Sequence, residues 1–127
     1  MPRGWVTFAD TPGTPRVEVE IAETHAARER GLMYRTAMPE DRGMLFIYPE
    51  PHQAGFWMKN THIPLSIGFF NEQGVLLEIH DMQPLDETTT RSRSLRVKYA
   101  LEVNQGWFQR HRVAPGTRVE MPRIPVN

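Results

Sequence analysis

Lys59 and Glu102 are the side chains of this 127-residue chain whose chemistry and setting best fit a functional site. Lys59 lies in Phe56-Trp57-Met58-Lys59-Asn60-Thr61, where a cation, an amide and a hydroxyl are set among aromatic and thioether groups. Burying an unpartnered amide costs about 2–7 kcal/mol and an unpaired charge far more, so a ligand or an internal partner must satisfy these groups. Glu102 lies in Tyr99-Ala100-Leu101-Glu102-Val103-Asn104. If both segments are extended, alternation puts Trp57, Lys59 and Thr61 on one side of the first, opposite Phe56, Met58 and Asn60. In the second it puts Ala100, Glu102 and Asn104 opposite Tyr99, Leu101 and Val103. Should the two polar sides line one cavity, Lys59 and Glu102 become partners, Trp57 an apolar wall and Asn104 an adaptable donor and acceptor. The carboxyl could then act as general acid or base while the ammonium stabilises developing negative charge.

Arg35 and Asn60 complete a candidate ligand-binding set of Arg35, Trp57, Lys59, Asn60, Glu102 and Asn104. Arg30 and Arg35 flank Gly31-Leu32-Met33, and either planar fork can clamp a carboxylate or phosphate. Most of these residues also have an ordinary structural use. A lysine stem can lie on a surface tryptophan, and a strand glutamate can form a solvated ion pair. An arginine can fix a loop through carbonyls or an internal glutamate, and Asn60 and Thr61 can satisfy turn backbone. Only two of the 15 basic residues are lysine, so position 59 stands out as a place for a compact point charge.

Metal and cofactor chemistry has little foothold. His25, His52, His62, His80 and His111 are scattered, without the short paired spacing of a zinc site, and His80-Asp81 is the nearest approach. Met33, Met38, Met44, Met58, Met82 and Met121 suit gap-filling in a core better than Cu(I) ligation. No GxSxG, phosphate loop, dinucleotide fingerprint or HExxH motif occurs, so no cofactor and no metal is expected.

The elements that must position these residues read mainly as strands. Val17, Val19 and Ile21 alternate with Glu18 and Glu20, the period of a half-wet strand. Thr24 caps a predicted helix over His25–Arg30, and Gly31 supplies the left-handed stop. Met44–Tyr48 reads as a strand buried on both faces, ended by Pro49 and Pro51. Leu65–Phe70 and Val75–Met82 form a hairpin across residues 71–74, and residues 83–93 a long mobile loop. Leu95–Val103 resumes as a strand, Trp107–Arg112 as a short helical turn, and Thr117–Met121 as a last strand with Val119 and Met121 on one face. The fold class is therefore mainly β: a single domain over residues 1–127, an antiparallel barrel or sandwich with one or two short helices.

Residues 30–35 (RGLMYR), 43–46 (GMLF), 56–61 (FWMKNT), 63–65 (IPL) and 101–104 (LEVN) carry a resemblance beyond this pattern. In order and type they resemble the signature blocks of the family catalogued as domain of unknown function 192, and the family-like region spans residues 17–119. The resemblance implies a compact, mainly β domain with a short helix, and it implies no activity. Many members carry signal sequences, which this chain does not show. Two further departures are Ser66, where the family usually has aspartate after Pro-Leu, and Gly116-Thr117, where Gly-Asp is usual.

Composition bounds the partners. No cysteine is present, which excludes disulfide and thiolate chemistry, and no apolar run reaches the roughly 20 residues of a spanning helix. The sequence as it stands reads as cytoplasmic, or as exported if a signal sequence was removed. The formal net charge is zero, but residues 1–87 hold 7 basic and 13 acidic side chains and residues 88–127 hold 8 and 2. Without a recognised module to place the arginines in a groove, nucleic-acid binding is not expected; a monomer is favoured over an oligomer. Three functional classes remain. The preferred one is a non-catalytic binding module for an anionic or polyhydroxylated small molecule, with no reaction assigned. The second is an enzyme using Glu102 as acid or base and Lys59 as electrostatic stabiliser. The third is a protein-interaction domain anchored by Trp5, Trp107 and the loop 83–93.

Overall fold

The structure is a computed structural model and describes residues 2–122. In chain order it comprises β1 (Arg3–Thr7), β2 (Arg16–Ala22), α1 (His25–Arg30), β3 (Arg42–His52), β4 (Gly55–Phe56), β5 (Leu65–Phe70), β6 (Leu76–Met82), β7 (Thr90–Arg91), β8 (Val97–Asn104) and α2 (Trp107–Arg110). Six strands form one sheet in the order β1-β2-β3-β8-β5-β6, while β4 and β7 make a separate two-stranded piece. The chain is mainly β and sandwich-like, and the large sheet stays open rather than closing into a barrel. Nor is the sheet purely antiparallel, since β2 and β3 pair in parallel across the α1 connection. A parallel pair needs such a crossover, and the Thr24-to-Gly31 helix supplies it. Thr24 Oγ1 accepts the Ala27 N–H at 3.1 Å, and Gly31 ends the helix at φ 50°.

Both sheet faces are covered, so the central strands are apolar on both sides. On one face Val17, Val19, Ile21, Leu45, Leu101 and Val103 pack with Phe8 and with Trp107 and Phe108 of α2. On the other, Met44, Phe46, Leu65, Ile67, Phe69 and Ala100 pack under Leu32, Met58 and Ile63. The alternation expected for β8 therefore holds: Leu101 and Val103 point one way, Ala100 the other. Glu102 has the parity of Ala100 and is registered between Met44 of β3 and Ile67 of β5, so a carboxyl stands mid-sheet between two apolar neighbours.

Several expectations are corrected. Pro49 and Pro51 do not end β3, which runs on to His52 through a register shift against β8; the proline rings, which lack an N–H, fall in that irregular stretch. The segment 83–93 is tied down rather than free. Met58 N–H donates to the Asp86 carbonyl, Leu85 N–H to that of Thr61, and the buried Glu78 carboxylate accepts from Arg93 N–H and Ser94 N–H. Residues 117–121 make isolated bridges, Val75 with Arg118 and Thr7 with Glu120, instead of a strand, although Val119 and Met121 do share one face. The opposite charges of the two chain halves mix on the surface, as in the Glu40–Arg110 ion pair at 2.8 Å.

Candidate functional site

A cleft of about 300 Å³ opens between α1 with its following turn, the strand β3, and the segment that starts at β4. Residues 28–33 make one wall, Phe46 and Tyr48 of β3 another, and Phe56, Trp57 and Thr61 a third; Glu102 of β8 lines its inner end. The walls are aromatic because β3 turns Phe46 and Tyr48 toward the face that Phe56 covers: the Phe46 and Phe56 rings meet edge to face at 4.9 Å, and Tyr48 and Phe56 at 6.5 Å.

Glu102 is 4% exposed, and among the described residues its carboxyl has neither a hydrogen-bond donor nor an ion-pair partner. With no cation to offset desolvation, burial alone pushes it up to about 8, so at neutral pH it is a carboxylic acid, able to donate as well as accept. Tyr48 beside it is pushed up to about 12, mostly by burial, with Glu102 adding to the effect and Arg28 opposing it. Arg28 is already committed: it donates to the Ile47 carbonyl at 3.1 Å and to that of Glu23, and lies 5.2 Å over the Tyr48 ring.

An outer recess adjoins the cleft, sharing Glu29, Arg30, Met33 and Trp57 with it and adding Tyr34, Lys59 and Asn60. Two left-handed turns cross here. Tyr34 (φ 69°) donates its N–H to the Asn60 carbonyl at 2.7 Å, and Asn60 (φ 56°) donates Nδ2 to the Tyr34 hydroxyl at 3.1 Å. Non-glycine residues in this region are held there at a cost by mutual support, a pattern that gathers at ligand sites. Tyr34 and Trp57 remain exposed, at 63% and 46%, with Arg30 above the first ring and Lys59 above the second.

The sequence-predicted residues divide accordingly. Glu102 and Trp57 reach the cleft, and Lys59 and Asn60 the outer recess. Lys59 does not meet Glu102. Only Gly55–Phe56 is a strand, and the chain turns at residues 59–60, so the ammonium sits 5.2 Å over the Trp57 ring while Met58 is buried. Arg35 is elsewhere: it makes a two-armed ion pair with Glu20 that lowers the Glu20 carboxyl below its ordinary range, chiefly through the hydrogen bond. Asn104 donates Nδ2 to the Met38 carbonyl at 2.8 Å and so pins a loop. Trp107, expected on a contact patch, is fully buried against Phe8. Ser66 accepts Gly106 N–H and donates to Asp81, and Thr117 donates to the Ala114 carbonyl, both structural duties. Sequence reasoning missed Phe46, Tyr48 and Phe56 as walls; the signal available was that residues 44–48 face two ways, but the Phe46–Ala100 register that sets them beside Glu102 is long-range.

Comparison with known proteins agrees on the fold and gives no reaction. The family model DUF192, described as "Uncharacterized ACR", matches residues 7–121. A Sinorhizobium meliloti 1021 protein, described as a "putative transcription regulator", is 37% identical with a TM-score of 0.86, covering 94% of this chain and 93% of its own. A protein of unknown function from Novosphingobium aromaticivorans DSM 12444 is 35% identical with a TM-score of 0.83, covering 94% of this chain and 85% of its own. No curated protein matches.

Proposed function

Because this chain belongs to the DUF192 family, whose description assigns no activity, its function must be read from its own cleft, and we propose that it is a binding module for a small polyhydroxylated ligand. The observation that carries this reading is Glu102, a buried carboxyl without a partner that lines an aromatic-walled cavity. Among the described residues the Glu102 carboxyl has no protein partner and opens into the cleft, where a ligand group that donates a hydrogen bond would serve it. A volume of about 300 Å³ suits a monosaccharide-sized molecule, and aromatic walls with few polar groups are the usual composition of such pockets. An anionic substituent on the ligand would sit outward, toward Arg30 and Lys59 of the outer recess.

Thermal unfolding with a library of sugars, polyols, nucleotides and carboxylates tests the reading. A ligand at 100 times its Kd adds about 2.7 kcal/mol, a rise of roughly 10 °C for a domain of this size. Trp57→Ala, at an exposed wall position, should abolish that rise without changing the ligand-free midpoint. If no compound class shifts the midpoint, the reading fails.

The environment of Glu102 also favours a second reading, an enzyme using it as general acid or base, because its proton is held up to about 8. Lys59 as the electrostatic stabiliser has no support, since its ammonium lies over Trp57 outside the cleft. Transcriptional regulation, the description given to the S. meliloti protein, would need another way onto DNA: the helices among the described residues are six and four residues long, short for reading a major groove.

A further inference from the structure

Resting on the reading that the cleft holds a small hydroxylated ligand, we propose that the group this ligand delivers to Glu102 is a primary ammonium: the cleft binds a small organic amine, ammonium innermost against the Glu102 carboxylate. The inner end of the cleft holds an acid with no counter-charge. Glu102 faces Met44 on β3 and Ile67 on β5, and neither neighbour can pair with it. The cations around the cleft are engaged elsewhere. Arg28 is bonded to the Glu23 and Ile47 carbonyls, Arg30 lies over Tyr34, and Lys59 lies over Trp57. An ammonium is the complement this arrangement lacks, because once the acid gives up its proton the ammonium balances the carboxylate and donates to both its oxygens.

The walls support the same choice. Phe46, Tyr48 and Phe56 bring aromatic rings around the cavity, and ring faces attract cations, most strongly where water is displaced. A neutral hydroxyl would gain the hydrogen bond without this second attraction. An anion could accept a hydrogen bond from the acid, but the negative ring faces would oppose it.

Binding then moves a proton in a defined direction. The free protein holds Glu102 as the acid up to about pH 8, whereas an alkylamine is already protonated below about 10. The ammonium arrives charged, the carboxylate forms, and the carboxyl proton leaves to solvent. Other titratable and charged groups facing the cavity are His25, Arg28, Glu29 and Arg30 on or beside α1 and Tyr48 on β3; the segment 55–57 with Thr61 contributes none, and neither does Ile67 of β5. His25 lies 3.7 Å from Glu29 and both are exposed, at the mouth of the cleft.

Isothermal titration calorimetry of the full chain with benzylamine and glucosamine, each against its hydroxyl counterpart, benzyl alcohol and glucose, tests the proposal. Runs in two buffers of different ionisation enthalpy count the protons. The expected result is that an amine binds at least about 10-fold tighter than its counterpart and releases about one proton at pH 6.5, the release falling as pH rises through about 8. Glu102→Gln should erase the preference and the proton release together. Proton counting on the unaltered protein keeps the test decisive even if that variant folds poorly. Benzyl alcohol or glucose binding as well as the amine, without proton release, would overturn the amine proposal while leaving the cleft as a ligand site. Failure of every probe, together with a library that shifts no midpoint, would instead sink the site itself.

Discussion

Replacing Glu102 by glutamine should change how stability depends on pH, in a direction and size that follow from its surroundings. Burial pushes the carboxyl up to about 8 in the folded chain, against an ordinary 4.5 when unfolding exposes it. Between those limits the folded state holds one proton more than the unfolded state, so each pH unit removes about 1.4 kcal/mol of stability. The contribution is complete below pH 4.5 and falls away as pH rises to about 8, a loss on the order of 5 kcal/mol across the window. That is a large part of the 5–15 kcal/mol typical of a domain. Glutamine keeps the shape and cannot ionise. Urea unfolding of both proteins at pH 5, 6, 7 and 8 reads the difference, with groups common to the two cancelling. The variant should gain on the unaltered protein steadily with pH, by several kcal/mol at pH 8. Parallel stability curves would mean that Glu102 ionises normally and that burial does not hold its proton.

Three further outcomes follow from the packing. Glu78→Ala removes the acceptor for Arg93 N–H, Ser94 N–H and the His80 ring; it should cost about 2–4 kcal/mol and speed hydrogen exchange in residues 83–94 selectively. Although burial pushes the Glu78 carboxyl up, the hydrogen bonds from Arg93, His80 and Ser94 outweigh this and leave it lowered, so its contribution is present above about pH 4.5 and lost on acidification, the reverse of Glu102. Gly43→Ala would drive a Cβ into the backbone carbonyl of Glu102 on the neighbouring strand, a contact no side-chain motion can relieve. A loss of roughly 3 kcal/mol or more in urea unfolding is expected, and a loss below about 1 kcal/mol would contradict the β3–β8 pairing. Arg35→Ala breaks a half-exposed ion pair with Glu20, so it should cost no more than about 1 kcal/mol and leave the affinity of any cleft ligand within twofold.

What the sequence shows plainly is local. The alternation of Val17, Val19 and Ile21, the Thr24 and Gly31 helix signals and the 65–82 hairpin are each written within a short continuous stretch of chain, and each appears in the fold. The parity of Glu102 against Leu101 and Val103 is equally local and equally sound. The site was harder because its partners come from distant strands. Lys59 and Trp57 do end up together, yet through a turn that needs Asn60 in the left-handed region, which asparagine tolerates but a period-two pattern does not announce. Arg35 could equally have served a ligand or an internal glutamate, and only the fold identifies Glu20 as its partner. The polar stretch 83–93 looked mobile because its anchors, Glu78, Ala54 and Met58, lie on other elements.

The most direct measurement is a carbon-13 NMR titration of the Glu102 side-chain carboxyl in the ligand-free protein, assigned by loss of its signal in Glu102→Gln. A midpoint near about 8 is the result expected of a buried, unpartnered acid at the inner end of an aromatic cleft. A midpoint near the ordinary 4.5 would show a solvated or paired carboxylate and contradict the account.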